Sequence, residues 1–263
     1  MSAFISIIDV TINQYFIYRL SFILWRFRNF LNLLLIYFLW SGVFVGKSQI
    51  FSYTQTQLIS YILIVNITGA VVLSTRTHEV AGEILSGDII NYLLKPLGYS
   101  TYLLAKELAD KFLNIIFSMA ELLILLVLFH PPLAIVATPQ VGAIYFIFLV
   151  VGLVLSFHLS LLLSLVAFWT PEVWAPRFIY MVFVTFLAGN FFPLDILPKP
   201  LFEFFMFTPF PYLIYIPSKM LVHGADSNVG SMLLIALSWC LILHFLVRVV
   251  WNKGMKEFSF FGR

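Results

Sequence analysis

Residues Arg76 to Lys111 read RTHEVAGEILSGDIINYLLKPLGYSTYLLAKELADK. Only 10% of the chain is charged, yet this stretch holds Arg76, Glu79, Glu83, Asp88, Lys95, Lys106, Glu107, Asp110 and Lys111. Apolar runs long enough to cross the ~30 Å hydrocarbon core of a bilayer flank it on both sides, so it sits in water between two membrane spans. Glu83, Gly87, Asp88, Asn91 and Lys95 recur at helical spacing on one face. Leu85, Ile89, Tyr92 and Leu93 fall on another, and the spacing predicts an amphipathic helix over about Gly82 to Lys95. Pro96 stops it, because proline has no N–H and disfavours a helical residue before it. Gly98 permits a turn, and Ser100 or Thr101 can cap a second helix. That helix carries Glu107 and Lys111 as an i,i+4 pair and runs into the next span. The apolar face of the first helix needs cover, and lipid headgroups or a soluble partner both fit.

Outward from this stretch the chain is overwhelmingly apolar. Its 263 residues are 62% hydrophobic, with a mean hydropathy of +1.01, which places it among polytopic membrane proteins of all-α type. No basic stripe follows a nucleic-acid backbone. The single Cys240 excludes an intrachain disulfide and a Cys-rich metal site. Residues 1–28 read as an interfacial helix, with Phe4, Ile8, Ile12 and Tyr15 at near-helical spacing and Arg19, Arg26 and Arg28 as anchors. Six spans are expected: about 29–45, 58–74, 112–129, 141–168, 178–192 and 230–250. Residues 193–229 contain Pro193, Pro198, Pro200, Pro209, Pro211 and Pro217, and their apolar pieces are too short to span yet too apolar for a solvated loop. A re-entrant helical hairpin before the sixth span fits both facts; a loop flat on the headgroups is the alternative.

Orientation follows from the fifteen Lys and Arg residues. With both termini inside, only Lys47, Lys199 and Lys219 face outward, a clear positive-inside bias. Residues 76–111 are then cytoplasmic and the hairpin is external.

The strings Gly82-Glu83-Ile84, Gly87 and Tyr92-Leu93-Leu94-Lys95-Pro96-Leu97 are similar to a signature of one bacterial subfamily of permease subunits of type-2 ABC exporters. The resemblance extends over the whole chain, as a single transmembrane permease domain of residues 1–263. It implies a coupling helix on about Glu79 to Leu97 that docks on a separate ABC ATPase. It further implies two ATPase copies, a second permease copy or a related permease chain, and a place in the bacterial cytoplasmic (inner) membrane. The cargo it implies is amphiphilic: drug-like, lipid or lipid-linked glycan. On that reading Ile84, Leu85, Ile89 and Tyr92 are docking anchors, with Glu83, Asp88 and Lys95 around them. The residues agree on one negative. No G-x-x-x-x-G-K-[ST] is present to cradle ATP phosphates, so ATP and magnesium would reside on the partner, and this chain carries no catalytic residues and no cofactor.

Ionisable groups inside spans are functional candidates by default. Glu121 in the third span and His158 in the fourth can pair, or Glu121 can stay protonated. Asn190, Phe183, Phe186 and Phe191 near the fifth span can line a substrate path, and Leu201 to Leu221 its outer end. Packing hydrogen bonds and interface belts account equally well for these types. Two rival classes use other subsets. A proton-coupled secondary transporter would relay through Glu121 and His158. A membrane-embedded enzyme would need the interfacial acids Glu79, Glu83 and Asp88.

Overall fold

The computed structural model describes residues 3–94, 98–136 and 138–258. Helix α1 (Ala3–Ile17) meets α2 (Arg19–Val43) at Tyr18. The interfacial helix expected over residues 1–28 is therefore divided, and Arg26 and Arg28 belong to the first long apolar helix. A two-stranded hairpin follows, β1 (Gln49–Ile50) antiparallel to β2 (Tyr53–Thr54). Phe51 and Ser52 at its tip both take positive φ, 50° and 67°, the turn whose twist matches that of the strands. Thr54 then opens α3 (Gln55–Val72): its hydroxyl accepts from Gln57 N at 3.3 Å, while the Gln57 side chain accepts from Thr54 N at 3.0 Å.

The expected single helix over 82–95 is two pieces, α4 (Glu79–Ser86) and α5 (Ile89–Leu93). Gly87 separates them at φ 79°, a left-handed turn that costs glycine nothing. Lys95 and Pro96 lie outside the described residues. Helix α6 (Tyr99–Phe129) runs 31 residues without interruption, so the helix expected after Gly98 and the third span are one rod. Next come α7 (Pro139–Ser164), capped by Thr138, and a 3-10 turn at Leu165–Phe168. The remaining helices are α8 (Trp174–Leu187), α9 (Lys199–Met206), α10 (Tyr215–His223) and α11 (Val229–Phe258).

Among the described residues five helices are long and apolar enough to cross a membrane: α2, α3, α6, α7 with its 3-10 turn, and α11. The expected fifth span is α8, whose 14 residues cover only about 21 Å at 1.5 Å per residue. Among the described residues, then, five of the six expected spans have a helix of full length.

The main core lies where α3, α7 and α10 meet. Tyr61, Phe148, Tyr212 and Tyr215 are fully buried there. The part of the proline-rich segment from Tyr212 to Val222 is thus packed into protein, while α9 before it has no buried residue. Ser218 of α10 donates to Thr68 of α3 at 3.3 Å, and Leu221 O accepts from Val136 N at 2.8 Å. Protein groups thereby satisfy polar atoms that lipid would leave bare. Lys219 pairs with Asp195 at 2.8 Å, and Tyr53 donates to the same carboxylate at 2.9 Å, tying the hairpin tip to α10. Lys199 and Glu203 do pair, at 3.8 Å, but both are solvated and contribute little.

A second core sits at the far end. There α4, α5 and α11 close around the turn at 165–168. A Cβ on Gly254 would lie 2.2 Å from the Phe168 ring, so α11 crosses that turn only because residue 254 has no side chain.

Candidate functional site

The segment between α3 and α6 is fastened to α6 by buried charge. Glu107, 3% exposed, accepts from the backbone N–H of Arg76 at 2.7 Å and of Thr77 at 3.2 Å, and from the Thr75 hydroxyl. Lys111 lies 3.4 Å from the other Glu107 oxygen, and its ammonium donates to Ser74 O at 2.6 Å and Val71 O at 3.1 Å. The i,i+4 pair expected from the sequence thus forms, and its purpose is larger than helix support. It gathers the carbonyls ending α3 and the amides of the following turn, groups that would otherwise be orphaned.

One turn further out, Arg76 is held between Glu79, Asp110 at 3.5 Å and the Tyr15 hydroxyl at 3.2 Å. Its guanidinium also sits 4.5 Å over the Tyr15 ring, while Tyr15 donates to Asp110. Lys106 pairs with Glu79 and, at 3.4 Å, with Glu83. Glu83 accepts a 2.6 Å bond from Tyr99. Burial alone would raise the Glu79 carboxyl, but the Lys106 hydrogen bond and the Arg76 charge outweigh it and hold the group below the usual carboxylate range. For Arg76, burial pulls the other way and is outweighed by Tyr15 and Glu79, so its pKa is raised. A cavity of about 690 Å³ lies between α1 and this cluster, bordered by Thr11, Gln14, Glu83, Asp88, Tyr102 and Lys106.

The docking anchors divide into two sets. Ile84 and Ile89 are 3% and 0% exposed and pack with Leu161, Leu165 and Phe168. They cover the protein's own core and present nothing to a partner. Tyr92 stacks on Tyr102, ring centroids 4.5 Å apart, and Glu83 is engaged as described. Leu85 and Asp88 are exposed, as expected, while Lys95 lies outside the described residues. Ile90, Leu93 and Leu94 are exposed as well; the sequence reading did not single them out as anchors. With Leu85 they make an apolar outer surface on α4 and α5. The break at Gly87 rotates α5 relative to α4 and exchanges which residues face outward.

The candidates for a substrate path do not converge. Glu121 pairs with Arg26 of α2 at 2.7 Å, and not with His158. The same guanidinium donates to Asn114 at 3.1 Å and Ser118 at 3.5 Å. His158 instead meets His244 of α11, nitrogen to nitrogen 3.2 Å. The Glu121–His158 relay therefore has no geometric basis. Phe183 stacks on Phe210, ring centroids 6.5 Å apart, and Phe186 meets Phe191 edge-on at 5.9 Å. Asn190 follows α8, beside Gly69 of α3. These four aromatics and Asn190 form one neighbourhood, separate from Glu121 and from His158. Arg26 escaped notice because it read as an interfacial anchor beside Arg19 and Arg28, and the sequence does not show that it alone of the three is buried.

Comparison with known proteins shows a family for this chain. The family described as ABC-2 family transporter protein matches residues 30–262, which takes in α2 from Phe30 onward, every later helix and the whole charged segment. No curated protein matches the chain.

Proposed function

From the membership of this chain in the ABC-2 family of transporter proteins, which makes it a multi-pass membrane permease of an ABC transporter with an ABC ATPase subunit as partner, we propose how the two are joined. The outer surface of α4 and α5 is the ATPase dock, with Leu85, Ile90, Leu93 and Leu94 as its apolar anchors and Asp88 at its edge. The observation that carries this reading is the contrast within one short segment. Its inner face is packed against the 165–168 turn and ion-paired to α6, while its outer face leaves four large apolar side chains uncovered beside charges. Exposed anchors on a rigid base are what a docking site needs.

On this reading the ATPase is energised elsewhere and moves α4. Glu79, Glu83 and Glu107 pass the displacement to α6, whose 31 residues carry it into the membrane as a lever. ATP and magnesium belong to the partner, present in two copies, and this chain performs no catalysis itself. A second permease copy or a related chain completes the pathway for an amphiphilic cargo, drug-like, lipid or lipid-linked glycan. On this reading the membrane is the bacterial inner membrane and both termini lie in the cytoplasm, an orientation that the Lys and Arg distribution supports. The aromatic neighbourhood of Phe183, Phe186, Phe191 and Asn190 lines the path, and α8 crosses only with the help of the α9–α10 region.

The experiment is co-purification from membranes, with permease abundance as control. Leu85→Ala with Ile90→Ala should release the ATPase, each truncation weakening docking by on the order of 1–2 kcal/mol. Ile84→Ala, an inward residue, should lower permease abundance instead. Full retention of the ATPase by the outer double variant overturns the dock.

A further inference from the structure

The geometry points to a binding site for the phosphate of an anionic phospholipid on the outward face of α11, formed by Arg248 and the His244–His158 pair. Leu241, His244, Phe245 and Arg248 follow one another at i, i+3, i+4 and i+7, so they share one helix face. All four are exposed, Leu241 at 73% and Phe245 at 66%. An apolar face on a spanning helix needs no explanation, since lipid covers it. A guanidinium on that face does, because an unpaired charge within a span is costly. Arg248 has no partner among the described residues.

The histidines define the polar edge of the site. His158 Nδ1 donates to Val154 O at 2.7 Å, which leaves Nε2 to accept from His244 Nδ1 at 3.2 Å. His244 Nε2 is then directed away from the pair, with no partner among the described residues. No acidic side chain joins the two histidines in a cluster among those residues, so nothing neutralises Arg248 and nothing disfavours an anion.

Depth and shape select a lipid over a soluble anion. Lys253 and Lys256 mark the aqueous end of α11. Arg248 is five residues short of Lys253, about 7.5 Å along the helix, close enough for its stem to carry the guanidinium to headgroup level. A fork of donors there fits a phosphodiester, and Leu241 and Phe245 continue away from it toward mid-membrane, where an acyl chain would lie. A two-fold contact between copies of this chain through the same stripe would press two Arg248 side chains together. The site is independent of the ATPase dock.

The test is native mass spectrometry of the purified permease, with phosphatidylglycerol or phosphatidylcholine added. The wild type should retain phosphatidylglycerol preferentially. Arg248→Gln should weaken that retention about fivefold, the factor expected for one basic residue at an anionic surface, and Arg248→Lys should keep most of it. Lys47→Gln, which removes another exposed cation, should change nothing. Equal retention by wild type and Arg248→Gln, or an equal loss in Lys47→Gln, overturns the site.

Discussion

Arg26 and Glu121 join α2 to α6 through a 2.7 Å ion pair within two apolar helices, with side chains 9% and 10% exposed. Such a pair is not a large net source of stability, since both charges lose water to form it. Its asymmetry is the testable part. Arg26→Leu leaves Glu121 buried without a counter-charge and should destabilise the purified protein by about 3–5 kcal/mol. Arg26→Leu with Glu121→Leu should recover most of that loss. Thermal unfolding in detergent measures both, and a double variant as unstable as the single one contradicts the account.

Glu107 holds the turn at 75–77 through backbone amides. Glu107→Ala strands the N–H of Arg76, at about 1–3 kcal/mol for a buried unsatisfied group, and leaves the N–H of Thr77 only its 3.2 Å bond to the Thr75 hydroxyl. Hydrogen exchange at these two amides should accelerate markedly, while amides in the middle of α3 keep their protection. Unchanged exchange at Arg76 and Thr77 would mean that the carboxylate is not what orders the turn.

The depressed pKa of Glu79 gives a pH dependence with a definite sign. A group whose folded pKa lies below its unfolded value contributes stability above the unfolded value, about 4.3 for Glu, and loses it as pH falls through the folded pKa. Wild type should therefore exceed Glu79→Gln in thermal stability at neutral pH, and the gap should close on acidification below about pH 4. A gap that is constant with pH would show that Arg76 and Lys106 do not select the ionised form.

Gly254→Val should force α11 away from Phe168, costing about 1–3 kcal/mol as other overpacked cores do. Phe168→Leu vacates the space a side chain at 254 needs. Combining the two should restore part of the stability lost by Gly254→Val. If the effects simply add, the contact is not the origin of the loss.

Charge and proline were the legible features. The charges of 76–111 marked a segment that cannot lie in lipid, and Pro193 to Pro217 marked one that cannot form a full span. The break at Gly87 was hidden because Asp88 and Asn91 stay in phase with Glu83 across it, so the glycine that permits the break read as one more residue of the helix. Ile84 and Ile89 were misjudged for a related reason. Periodicity identifies an apolar face, but only the fold shows that Leu165 and Phe168 already cover it. The Arg26–Glu121 pair depends on the relative height of two helices far apart in the chain, which no local pattern encodes. The fifth span looked longer because the apolar run continues past Leu187, where the helix stops.

The separation of Arg26 from Glu121 also orders events during synthesis. Glu121 is made about 95 residues after Arg26, which at roughly 5–20 residues per second is on the order of 5–20 s. Throughout that interval α2 carries a cation with no counter-ion, and the guanidinium must stay near the headgroups or in the insertion machinery. The first long helix therefore reaches its final depth only when the third arrives with its carboxylate, so a chain truncated before Glu121 should insert α2 poorly, however apolar that helix is.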